Sequence, residues 1–169
     1  RGITLGSGGG TISSAASTVL TTNAVIASSG AYALTIGSSG HTGTVVLGGT
    51  NTYAGDTTIA YGVLQLGASG VLPDGSGKGN IAVNSGATLD LNGHDETING
   101  LSGSGVVDNT SGSANAALTV GGNNATSSFG GVLKNTGSGH TLSLVKTGTG
   151  TLTLSGSNTY GGGTTINGG

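Results

Sequence analysis

At 169 residues, with 38 glycines, one proline and no Gly-X-Y period, the chain is long enough for one domain with a continuous core and is not a collagen. Charged residues make up 6%, against roughly 25% in ordinary soluble domains, and the mean hydropathy of +0.14 excludes charge-driven disorder. The net charge is −2 and the four basic residues (Arg1, Lys78, Lys134, Lys146) are scattered, which argues against a nucleic-acid partner; no apolar run nears the ~18 residues of a membrane-spanning helix.

Cysteine is absent. That fits a chain exported unfolded through an oxidising compartment, where no disulfide can trap a folded intermediate. No signal peptide is visible. Arg1 is not a natural start and Gly169 falls inside a repeat, so an excised piece flanked by further coils is expected.

Residues 1–40 alternate short apolar runs with Gly-Ser punctuation. Ile3-Thr4-Leu5, Val19-Leu20, Val25-Ile26 and Leu34-Thr35-Ile36 predict strands; Gly8-Gly9-Gly10, Ser28-Ser29-Gly30 and Ser38-Ser39-Gly40 predict turns. The best helix candidate, Ile12 to Ile26, is rich in Ser and Thr, which disfavour helix interiors. From Gly43 the alternation sharpens. Val45 and Leu47, Leu64 and Leu66, Ile81 and Val83, Leu89 and Leu91, Leu118 and Val120, Leu142 and Leu144, and Leu152 and Leu154 each sit two apart, so each pair points to one face of its strand. Residues 70–80 form the main irregular loop, turned by Pro73-Asp74-Gly75. Asn51, Asn92, Asn99, Asn109 and Asn158 read as turn asparagines suited to the left-handed conformation and to stacking in ladders.

The chain also repeats itself. Asn51-Thr52-Tyr53 returns as Asn158-Thr159-Tyr160, and Thr57-Thr58-Ile59 returns as Thr164-Thr165-Ile166 at the same offset. A fixed offset signals stacked architecture. Small, uniform inward residues and few aromatics (four Tyr, one Phe, no Trp) favour a solenoid over a sandwich. The reading is a parallel β-helix of three short strands and roughly 20 residues per coil, about eight coils in all, with the repeat copies about five coils apart. Right-handedness follows the usual crossover preference.

The run Gly-Thr-Leu-Thr-Leu-Ser-Gly-x-Asn-Thr-Tyr-x-Gly-Gly-Thr-Thr-Ile resembles the autotransporter-associated β-strand repeat of bacterial passenger domains. The copy at 146–169 matches nearly throughout, Lys146 included. The copy at 43–67 is looser, with Asp56 where the later one has Gly163 and Ser39 where it has Lys146. Ala87 to Gly93 and Ala117 to Asn124 read like the connecting sequence of such proteins. The resemblance implies a single right-handed parallel β-helical segment over 1–169, open at both ends, of a longer passenger. It also implies an outer-membrane β-barrel translocator in the parent chain and a place on the bacterial cell surface.

Chemistry is thinly signalled. His94-Asp95-Glu96, with Asp90 four residues before His94, is the one acidic cluster; it suits a polar turn, and otherwise a cation or an acid/base pair on polysaccharide. The three histidines lie at no zinc-ligand spacing, and no nucleophile elbow is present. Ser76-Gly77-Lys78-Gly79 lacks the leading glycine and following hydroxyl of a phosphate loop. No enzyme, metal or cofactor is expected. Thr-x-Thr recurs at 42–44, 147–149 and 151–153, too sporadically for an ice-binding surface.

Tyr53 and Tyr160, equivalent in the two copies, are expected to pack over a turn. With His94, Asp95 and Glu96 they are also the weak candidates for ligand contact. The leading function is a surface stalk that assists export and display. The alternative is an adhesin surface using Tyr32, Tyr53, Tyr61 and the 94–96 turn on a glycan or host protein, with end-to-end self-association into fibres as a further expectation.

Overall fold

The computed structural model describes residues 1–169. The chain is all-β: nineteen short strands, no helix, and every pairing between strands parallel. It winds as a solenoid with three faces.

The first face carries Ile3–Leu5, Ile26–Ser28, Glu96–Ile98, Ala116–Val120, Leu142–Lys146 and Thr164–Ile166. The second is a seven-stranded sheet from Gly10–Ile12 through Leu34–Ile36, Thr57–Ile59, Ile81–Val83, Leu101–Gly103 and Ser127–Phe129 to Leu152–Leu154. The third is six-stranded, from Val19–Thr22 to Val132–Asn135.

Seven rungs on the second face make about seven turns, one fewer than expected. The reason is register. Rungs pair across a single turn, as Ile81 does with Leu101, Thr57 with Ile81 and Gly103 with Phe129, and most of these turns are longer than the expected coil. At ~4.8 Å per turn, seven turns rise about 34 Å, against about 38 Å for eight.

The period-2 pattern becomes the core. On the third face Val45, Leu64, Leu89, Val107 and Leu133 stack inward in register, with Leu47 and Leu66 beside them. On the second face Ile36, Ile59 and Val83 do the same, and beyond Gly103 the column continues through Phe129 to Leu154. Twenty-seven buried apolar residues form one continuous cluster up the axis. At about 25–30 cal/mol per Å², burial of this stripe is the main stabilising term, and no coil can supply it alone.

Ile12 to Ile26, whose Ser and Thr content argues against a helix, holds the strand Val19–Thr22 expected from Val19-Leu20. One expectation changes. Of the five turn asparagines only Asn92 is left-handed, at φ 48°. The others use their amides instead, tying corners of adjacent turns together.

Candidate functional site

The repeat motif is a corner, and both copies build it alike. Asn51 Oδ1 accepts the N–H of Ile26 at 2.8 Å, and Asn158 Oδ1 accepts that of Leu133 at 2.8 Å. The next residue, Thr52 or Thr159, donates its own N–H to the carbonyl of that same Ile26 (2.8 Å) or Leu133 (2.9 Å). Tyr53 and Thr57 hydroxyls meet at 2.6 Å, and Tyr160 and Thr164 at 2.7 Å. Gly55 and Gly162 lie so close to the turn below that a Cβ would collide with the backbone of Tyr32 in the first copy and of Leu142 in the second. Position 56/163, where the copies differ, meets open space at Gly163, whereas Asp56 Oδ1 accepts Asn80 N–H of the next turn at 2.7 Å.

The two corners sit on different faces. Thr57–Ile59 belongs to the second face, and its equivalent four rungs on is Leu152–Leu154. Thr164–Ile166 comes two corners later and belongs to the first face. The sequence offset is therefore not a whole number of turns. The motif works wherever it falls because its partners are a backbone amide and carbonyl, which every rung offers.

The candidate contact residues divide by exposure. Tyr53 is fully buried; burial holds its hydroxyl above the usual tyrosine range, with the Thr57 bond opposing and the charge of Glu96 adding. Tyr160 is half-buried, with Thr164 exposed. His94 is half-buried and Asp95 exposed, its Oδ1 accepting Ala117 N–H at 2.8 Å. Glu96 is 2% exposed: Oε2 accepts Val71 N–H at 3.0 Å and Oε1 accepts Leu72 N–H at 3.3 Å. Burial pushes its carboxyl up to about 7, against the pull of those two amides and with the charge of Asp74 adding to the rise.

Asp90 does not join Asp95 and Glu96. It lies on the third face, taking Gln65 Nε2 (2.8 Å), Asn92 N–H (2.9 Å) and both the N–H and hydroxyl of Thr110. Its register neighbour Asp108 takes the N–H and hydroxyl of Thr136 and an ion pair from Lys134 at 3.4 Å. Carboxylates that would have to converge for acid/base chemistry thus stand on different faces, each fixing backbone. Lys146 also turns inward, in register between Val120 and Ile166, and donates to the carbonyls of Thr147, Gly148 and Gly168.

One surface escaped the sequence reading. Between the inward columns of the second face, Thr11, Thr35, Thr58, Ser102, Ser128 and Thr153 point outward in register, broken only by Ala82. The signal lies in hydroxyl residues a full turn apart, far outside the two-residue spacing of Thr-x-Thr.

The passenger-associated-transport-repeat family matches residues 42–66 and 144–169, the two corners described above. Over 173 aligned residues covering the whole chain, the sequence is 38% identical to the adhesin BmaC autotransporter of Brucella suis biovar 1 (strain 1330). The chain spans about 5% of the length of that relative. No solved structure matches. The chain is thus a parallel β-solenoid that bears two passenger-associated-transport repeats and is similar, end to end, to a piece of an autotransporter adhesin.

Proposed function

We propose that this chain is a stalk segment of an autotransporter passenger, exported across the outer membrane and displayed on the cell surface. It would be drawn outward through a β-barrel translocator carried by the same parent chain. The observation behind this reading is the register: paired rungs always belong to adjacent turns, close in sequence. Such a chain folds turn by turn as it emerges, without waiting for distant sequence. Right-handed winding, further coils on either side and no enzymatic activity belong to the same reading.

Native-state amide exchange tests it. The expected result is graded protection, lowest at Ile3–Leu5 and Thr164–Ile166 and highest in the middle turns. A single shared opening energy for all rungs would refute turn-wise folding.

A second reading, an adhesin surface for a glycan or host protein, is favoured by the name of the relative and by the outward hydroxyl column on the second face. It predicts that the 169-residue chain alone binds a component of a glycan or matrix-protein panel. A flat response would remove it.

A further inference from the structure

The first face is interrupted. Between Ile26–Ser28 and Glu96–Ile98 the chain passes twice, at 51–53 and 71–73, without forming a strand. Side chains bridge the gap. Asn51 Oδ1 takes the N–H of Ile26, and Asn51 Nδ2 donates to Val71 O at 2.9 Å. Above it, the N–H groups of Val71 and Leu72 point to the carboxyl of Glu96 rather than to a backbone carbonyl. The loop that follows hangs on Asn99, which takes Gly75 N–H at 2.8 Å and donates to the carbonyls of Gly75, Lys78 and Gly79.

The geometry points to residues 68–78 forming a clasp over the first face that Glu96 holds shut while protonated and loosens when it ionises. No cation faces Glu96. Lys78 donates its ammonium to the carbonyl of Thr52, and the molecule's one ion pair is Lys134–Asp108, on another face. The charged group that acts on Glu96 is Asp74, of like sign, and buried Tyr53 feels the charge of Glu96 in turn. On its own segment Asp95 holds Ala117 N–H, with His94 half-buried beside it. Protonated, Glu96 keeps a carbonyl oxygen to accept one amide and a hydroxyl oxygen that accepts the other more weakly. Ionised, it is a buried charge offset only by the backbone amides of Val71, Leu72 and Thr97, with no cation.

The direction follows from proton binding. Closed, the carboxyl titrates near 7; in an opened clasp it returns to the ordinary value of 4.5. The closed state therefore holds its proton through the interval where the open state has lost it. Opening is favoured as pH rises from 4.5 towards 7 and levels off above, by roughly tenfold per pH unit in between.

The test is hydrogen exchange of peptides spanning 68–79, read by mass spectrometry from about pH 5 to 8 and corrected for intrinsic rates. The expected result is a fall in protection of roughly tenfold per unit up to about pH 7, absent in Glu96→Gln, with Ala116–Val120 unchanged in both. Flat protection in the wild-type chain, or the same slope in Glu96→Gln, overturns the proposal. Should Glu96→Gln fail to fold, the carbon-13 shift of the wild-type Glu96 carboxyl decides: a midpoint near 7 supports the clasp, and one near 4.5 overturns it.

Discussion

The repeat offers a matched experiment, because the same hydroxyl pair is buried in one copy and wet in the other. In the first copy Tyr53 is 0% and Thr57 1% exposed; in the second Tyr160 is half-buried and Thr164 exposed. Tyr53→Phe deletes one partner of a 2.6 Å bond and leaves the Thr57 hydroxyl buried alone. That costs about 1–3 kcal/mol, the desolvation of an unpaired polar group. Tyr160→Phe deletes the same bond at 2.7 Å, but water replaces it, so the change stays within about 0.5 kcal/mol.

A solenoid need not unfold in two states, so the effect is best read locally. Native-state exchange of the Thr57–Ile59 amides should accelerate about 5- to 150-fold in Tyr53→Phe, while Thr164–Ile166 in Tyr160→Phe should change about twofold or less. Adding Thr57→Val to Tyr53→Phe removes both partners and should recover most of the loss. Equal effects in the two copies, or none at Tyr53, would refute the argument that burial and not the bond itself sets the cost.

Asn99→Ala removes four hydrogen bonds to the 75–79 loop from a fully buried amide; a loss of about 2–4 kcal/mol of local stability is expected, read as exchange of Gly75 and faster proteolysis at Ser76–Lys78. Gly162→Ala should perturb its corner, since a Cβ would collide with the Leu142 carbonyl, whereas Gly163→Ala meets nothing within 4 Å and should be neutral; thermal melts of the two variants compare them. Spectrophotometric titration, compared with that of Tyr53→Phe, should find Tyr53 silent until the fold opens at high pH. A Tyr53 signal while the fold is intact would contradict its burial.

What the sequence made legible follows from where apolar residues alternate. Val45/Leu47, Leu64/Leu66, Ile81/Val83 and Leu142/Leu144 predict their strands because both inward positions of each rung are large and apolar. Leu101–Gly103, Ser127–Phe129 and Val132–Asn135 were hidden because one inward position of each is not. Gly103 pairs with Phe129, and Ser127 with Leu152, so a neighbouring rung fills what a small residue leaves open. That compensation acts between residues a full turn apart and cannot be seen within one strand.

The candidate site was legible only in part for a similar reason. Glu96 looked like a surface carboxylate in a polar turn because its partners, Val71 and Leu72, contribute backbone amides that carry no sequence signature. The turn count missed because corner lengths vary with loops such as 73–79, which no pattern of apolar residues constrains.

The placement of the two corners on different faces has a consequence for how such rods grow. The genetic period of this chain is four turns and two corners, not a whole number of mechanical periods. A duplicated segment need not match a whole number of turns, since its asparagine and threonine clip onto whatever rung lies beneath. Copies added in tandem would then precess around the axis like a stripe on a barber's pole. Length could accumulate freely, while anything borne on the copies would be presented on each of the three faces in turn.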